Sequence, residues 1–349
     1  MMRITREYRV TYTIEGRRPA YTRSDMRSLR RIGGWIICLG LTLGLCESVG
    51  AAQRRIAIAS IFPVADLVQQ IGGQRWEVLT LLPAGASVHT YEPTPEEVRQ
   101  LAQAGMFFQV GLGLEFWLEK LVRAAKNPAL VHVDLSEGIA TIPTPLPELP
   151  PTPRKGTGRH ATSHQHHAAQ GERHVHAHGG ADAHYWLDPI RMLQVASRIE
   201  QELTKVDPES ARLYAENAQG VRTDLEQLHA EIMQRTEALP NRRFIALHAA
   251  WTYFAPRYNL VQAAVVEPFP GREPSPRYLA GLAQLMRREQ VLAVVIEPQL
   301  STSAAQALAR ETGARVGRVD SYGGSGVPGG ESYVDLMRYN LAELVKLLQ

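Results

Sequence analysis

The chain has 349 residues, enough for two domains or one large one around a buried core. Its hydrophobic content of 44% is that of a soluble globular protein, and its formal net charge is +3 at pH 7. Residues 1–51 hold nine Arg against four acidic residues, a net of +5, so about −2 is left for the remainder. The basicity thus belongs to the N-terminus, and no nucleic-acid partner is indicated.

The first predicted element is an export signal over residues 1–51. The stretch "MRSLRRIGGWIICLGLTLGLCESVGAAQ" has a basic start, an apolar core from Ile32 to Leu45 and a small-residue cleavage pattern. Cleavage is expected after Ala51 or Ala52. The apolar core is shorter than the ~20 residues a transmembrane helix needs. The 25 residues before Met26 are long and mixed for such a leader, which makes Met26 an alternative start. Cys46 follows Leu45, whereas a small residue normally precedes a lipidated cysteine, so ordinary cleavage is favoured over a lipid anchor. Cys38 and Cys46 then leave with the signal, and the exported chain has no thiol for its oxidising, periplasmic destination. Any soft-metal site must come from His and carboxylates.

From residue 52 the chain alternates strands and helices. "RRIAIAS" reads as a strand, "FPVADLVQQIGG" as a helix closed by a Gly pair, and "WEVLTLLP" as the next strand. A loop follows, in which Thr94 caps a helix with Pro95 at its first position and Glu97 three residues on from the cap. "MFFQVG" and "LVHVDLS" read as strands flanking the helix "LEFWLEKLVRAA". This is a βα lobe over residues 52–207, and a mostly parallel sheet is expected.

The pattern stops between about 142 and 182. "PTPLPELPPTPRKGTG" is proline-rich, and seven of the twelve histidines fall between 160 and 178 with no apolar periodicity. Such a segment is predicted to be a disordered surface loop. Helical pattern resumes at "YWLDPIRMLQVASRIEQELTKV". Residues 208–238 then form a helix of roughly 45 Å at 1.5 Å per residue, which connects the two halves. A second βα series fills 239–349: "RRFIALH", "AAWTYFAPRY", "VQAAVV", "SPRYLAGLAQLMRRE", "VLAVVIEP", "TSAAQALARETG", "RVGRVD" and "SYVDLMRYNLAELVKLL". The fold class is therefore α/β, two lobes with mostly parallel sheets joined by one long rigid helix, with a ligand cleft between the lobes.

Five histidines lie outside the tract. His132 within a strand and His229 on the long helix read as structural. His89, His184 and His248 each lie at the edge of an element, where a side chain can enter a cleft. With Asp320, at the end of "RVGRVD", they form an N₃O set that suits Zn²⁺, which takes imidazole nitrogen at about 2.0–2.1 Å in tetrahedral geometry. Mg²⁺ and Ca²⁺ prefer oxygen cages. A metal contacting both lobes would clamp them, as a binding protein requires.

The stretches "GASVHTYEPTPEEV", "AHYWLDP", "LHAAWTYFAPRYNL", "PGREPSP", "IEPQLST" and "VDSYGG", in this order, resemble the cluster 9 metal-binding subunits of bacterial ABC importers, zinc-uptake branch. The resemblance runs from about residue 54 to the C-terminus. It implies a metal held between two α/β lobes by His89, His184, His248 and Asp320. A histidine at 248, where manganese-selective relatives usually carry a carboxylate, moves the expectation toward zinc, with Mn²⁺ or iron as the alternative. It also implies a monomer that delivers metal to a membrane permease. Glu297 is expected to line the cleft or orient a ligand histidine, or else to be a plain salt-bridged or capping residue; Glu92 is a further candidate for the orienting role. Tyr185 and Trp186 read as packing. The tract histidines, His160, His164, His166, His167, His174, His176 and His178, are expected to bind metal weakly and pass it to the site; a solvated linker is the plain alternative. A secreted zinc hydrolase is the rival class, against which stand the absence of HExxH, of GxSxG and of cysteine after the signal.

Overall fold

The computed structural model describes residues 55–144 and 180–349; the predicted export signal and the histidine tract lie outside the described residues. The N-terminal sheet contains β1 (Arg55–Ala59), β2 (Trp76–Thr80), β3 (Met106–Gln109) and β4 (Val131–Asp134), all parallel, in the order β2-β1-β3-β4. The C-terminal sheet contains β5 (Arg243–Ala246), β6 (Val261–Val265), β7 (Ala293–Ile296) and β8 (Arg315–Arg318) in the matching order β6-β5-β7-β8. In each sheet the chain direction of travel reverses at the central strand pair. Ligands of such sheets bind beyond the C-terminal strand ends at that reversal.

The helices are α1 (Phe62–Gly72), α2 (Pro95–Gln103), α3 (Leu118–Ala125), α4 (Pro189–Val206), α5 (Ala211–Glu237), α6 (Phe254–Arg257), α7 (Pro276–Glu289), α8 (Ser303–Thr312) and α9 (Tyr333–Leu348). Local chemistry sets their starts. Thr94 and Glu97 make a reciprocal capping box before α2, and Asp188, Ser275 and Ser332 accept backbone N–H bonds at the starts of α4, α7 and α9. The expected long helix is α5, 27 residues, entered through a 3₁₀ turn at Pro208–Ser210.

Three expected helices are shorter than their sequence pattern. "LEFWLEKLVRAA" becomes helical only at Leu118, because the buried Glu115 carboxylate turns back to accept the N–H groups of Val110 (2.8 Å) and Gly111 (3.1 Å). The helix expected from Tyr185 starts at Pro189, and His184–Leu187 is a separate 3₁₀ turn. Asp188 caps from extended geometry and proline follows at the first helical position, so the turn cannot run into α4. "AAWTYFAPRY" yields only the four residues of α6.

The residues of β5 and β7 alternate between two cores with the period of two that a pleated strand imposes. Ile245, Leu247 and Val294 pack on α7 and α8 residues such as Leu282, Met286 and Leu308. Phe244, Ala246, Ala293 and Val295 face the other way, into a core that also holds Ile58, Phe107, Ile199, Leu225 and Leu344. That larger core runs without a break from the N-terminal sheet through α1, α4, α5 and α9 to the C-terminal sheet. Asp66 on α1 accepts the Tyr333 backbone N–H at 2.8 Å and so caps α9 across the lobes. Among the described residues no helix is long and apolar enough to cross a membrane.

Candidate metal centre

His89, His184, His248 and Asp320 all follow the C-terminal ends of strands or the turn that faces them. His89 lies in the loop after β2, where its own N–H bonds Ser87 Oγ at 3.3 Å. His184 opens the 3₁₀ turn, whose Tyr185 hydroxyl anchors on Val110 O at the end of β3 (2.7 Å). His248 lies two residues beyond β5.

The three imidazoles converge from both lobes. Ring centroids are 5.5 Å apart for His89–His184, 5.5 Å for His89–His248 and 5.3 Å for His184–His248. One ligand atom from each lies within 4.8 Å of the other two, and among the described residues this is the group of metal-binding side chains so placed. His184 and His248 are buried, with Nε2 atoms that have no hydrogen-bond partner.

The reason they point inward lies behind them. His248 Nδ1 is 2.5 Å from Glu297 Oε2, and His184 Nδ1 is 2.8 Å from Asp182 Oδ1. An ionised carboxylate only accepts, so each Nδ1 carries the proton and each Nε2 presents its lone pair to the centre. The sheet register makes the first pair. Ile245 is level with Val294, so residues three positions beyond each, His248 and Glu297, emerge side by side at the chain reversal. Asp182 reaches His184 by a local turn, accepting its backbone N–H at 2.8 Å.

Burial works to lower the His248 pKa. The adjoining Glu297 carboxylate, with Asp182 and Glu267 further off, outweighs it and leaves His248 above its ordinary value. For Asp182, burial works upward, and the His184 imidazole with the Thr252 and backbone hydrogen bonds brings the carboxyl below its ordinary value. Burial raises Glu267, although it accepts the Gly271 N–H at 3.1 Å.

Asp320 lies outside the trio of mutually close atoms. It is 3% exposed, and its Oδ1 accepts from Gln299 Nε2 (2.6 Å), Tyr322 N and Gly323 N (both 2.9 Å). Its Oδ2 is buried without a hydrogen-bond partner. Neighbouring Ser321 O accepts from Trp186 Nε1 at 2.7 Å, and the Trp186 ring lies 5.0 Å from that of His184. Trp186 therefore packs, as expected, and also ties the His184 turn to the Asp320–Ser321 loop. Tyr185 is likewise fully buried.

The remaining sequence candidates fall elsewhere. Glu297 is the buried orienter of His248, whereas Glu92 is exposed, a poor position from which to brace a buried imidazole. His132 is exposed with its ring 5.5 Å from Phe107, and His229 bonds the Tyr258 hydroxyl at 3.1 Å, both structural placements. Sequence reasoning missed Asp182; its signal was the spacing Asp-Ala-His, which lets a carboxylate cap the residue two positions on. It also missed Gln299 and Thr252.

The chain has counterparts among known proteins. The profile of the family described as zinc-uptake complex component A, periplasmic, matches residues 58–347. A protein of Treponema pallidum that carries the name metal-binding protein is 30% identical over 255 residues, which is 72% of this chain and 74% of that protein. The zinc-binding lipoprotein AdcA of Streptococcus pneumoniae is 24% identical over 308 residues; the match covers 87% of this chain but only 58% of AdcA. The zinc-bound crystal structure of a ZnuA deletion mutant superposes with a TM-score of 0.69 at 28% identity, covering 85% of this chain and 98% of that one. By fold and by the extent of these matches, the chain belongs to the zinc-uptake complex component A family of periplasmic proteins.

Proposed function

We propose that this protein is an extracytoplasmic zinc receptor that captures Zn²⁺ between its lobes and delivers it to the membrane permease of an ABC importer. The ligands are the Nε2 atoms of His89, His184 and His248 with Asp320 Oδ2 as the fourth. The observation that carries this reading is the convergence of three imidazoles from two lobes, two of them held from behind by buried carboxylates. Neutral imidazole with an oriented ring suits Zn²⁺, and a fourth protein ligand closes the tetrahedron that structural and transport sites use. A hydrolase needs the opposite, an open position for water and a base beside it. A centre closed in this way binds metal without turnover.

Manganese is the second reading. The manganese-binding lipoprotein MntA of Halalkalibacterium halodurans is 26% identical over 294 residues. AdcA and MntA are named lipoproteins, whereas here Cys46 follows Leu45; we assign the N-terminus to an ordinary cleaved signal. The tract histidines serve as weaker accessory ligands.

Metal-free protein titrated with Zn²⁺ and Mn²⁺ in competition tests this reading, for wild type and for His89→Ala, His184→Ala and His248→Ala. Each substitution should abolish tight zinc binding. Undiminished binding in all three would show the ligand set to be wrong.

A further inference from the structure

His184 is held by Asp182, and Asp182 is held in turn from the opposite lobe. Asp182 Oδ1 faces the imidazole, while Oδ2 accepts from Thr252 Oγ1 at 2.5 Å. The one hydroxyl hydrogen of Thr252 also has Ala249 O in reach at 3.0 Å. The bond to the carboxylate is shorter and charge-assisted, so it takes the hydrogen. The Tyr253 hydroxyl donates to Asp182 O at 2.6 Å and accepts from Ile142 N at 3.2 Å, and the Arg191 guanidinium lies 4.3 Å over its ring.

We infer that Thr252 and Tyr253 are positioning residues for the metal ligand His184, acting through Asp182 and making its orientation depend on lobe docking. The inference rests on the reading of His184 as a ligand. Asp182 Oδ1 is shared between the His184 backbone N–H and the imidazole, both at 2.8 Å, and one anchored oxygen alone leaves the carboxylate plane free to turn about its broad terminal torsion. Thr252 removes that freedom by fixing Oδ2, which sets the carboxylate plane and so the direction from which Oδ1 meets the imidazole. Tyr253 fixes the backbone beneath.

Tyr253 does more than brace one residue. Ile142–Thr144 and Gly180–Asp182 pair as a short antiparallel stem, with Asp182 N to Ile142 O at 2.8 Å and Thr144 N to Gly180 O at 3.0 Å. The Tyr253 hydroxyl bonds both edges of that stem. Residues 248–253 of the C-terminal lobe thus supply one imidazole directly and hold a second through Asp182.

The test uses the full chain with Thr252→Val, Thr252→Ser and Tyr253→Phe. Zinc affinity is read by competition with a chromogenic chelator, and the His184 tautomer by ¹⁵N NMR of the metal-free ring. Thr252→Val should weaken zinc up to roughly 10-fold, the low end of the range for lost partners of a metal ligand, because it acts one bond removed, through Asp182. It should also move the His184 ring signals away from the pure Nδ1–H pattern, and Thr252→Ser should restore both. Tyr253→Phe should act in the same direction. Wild-type affinity and unmoved ring signals in Thr252→Val would overturn the inference while leaving the ligand set intact. Equal weakening in Thr252→Val and Thr252→Ser, with the ring unmoved, would reduce the role to support of the fold and also overturn it. Tight binding by His184→Ala would remove the ligand reading, and this inference with it.

Discussion

Glu297 stands behind His248 with Oε2 2.5 Å from Nδ1, both side chains buried, each three residues past a matched position in adjacent strands. A buried carboxylate beside a buried imidazole favours the protonated ring, so His248 binds a proton more readily than an ordinary histidine. The proton and the metal compete for it. Zinc affinity should therefore fall as pH drops through this raised pKa. Glu297→Gln removes the charge and leaves burial, which lowers the pKa, so the onset of proton competition should move to lower pH. At neutral pH the same variant should bind zinc about 10- to 100-fold more weakly. Zinc dissociation constants between about pH 5 and about pH 8 check both directions.

Asp320 offers one oxygen. Three donors occupy Oδ1, so Oδ2 alone is left to reach a metal. In the proposed site a one-oxygen carboxylate with three imidazoles would give four-coordination, and Co²⁺ in place of zinc should show the intense visible bands of a tetrahedral ion. Asp320→Ala should lose that spectrum and weaken zinc, because water replaces an anionic ligand. A six-coordinate spectrum in wild type would contradict the assignment.

Gly271 lets the lobes approach beside His89. Its φ is +79°, and a Cβ there would stand 2.7 Å from Thr90 Cγ2, in the residue after His89. Gly271→Ala should cost about 1–2 kcal/mol from the left-handed backbone alone, plus the clash, and should weaken zinc by displacing the His89 loop. Adding Thr90→Ser removes the clashing methyl. It should recover the zinc affinity but not the backbone share of the lost melting temperature.

The tract can be removed without touching its stem. Deleting residues 156–179 keeps Gly180 O, the acceptor of the Thr144 N–H. The shortened protein should still bind one tight zinc per molecule in calorimetry, with weaker additional binding lost. Loss of the tight site would mean that the tract is part of the centre.

Element types and their order were legible because both series keep clean periodicity and strong caps, as at Thr94–Glu97. The three imidazoles were legible too, each placed at an element's end. What joins them was not. The Thr252–Asp182 bond spans 70 residues and exists only where the lobes dock, so no local pattern encodes it. Glu297 had several equal readings until the β5–β7 register placed it behind His248. The late start of α3 was hidden because the Glu115 carboxylate's pull on two backbone amides leaves no trace in apolar spacing.

The unbroken core through α1, α4, α5 and α9 limits how this molecule can unload. Swinging the lobes apart would wet that core at ~25 cal/mol per Å², so baring ~400 Å² would cost about 10 kcal/mol, the scale of an entire fold. Loading and release are thereby confined to the rim of loops beyond the strands. Empty and filled forms should cast nearly the same silhouette, and their small-angle scattering curves should superimpose. An importer docking this protein would have to recognise its cargo through the stiffness of that rim, because the outline carries no message.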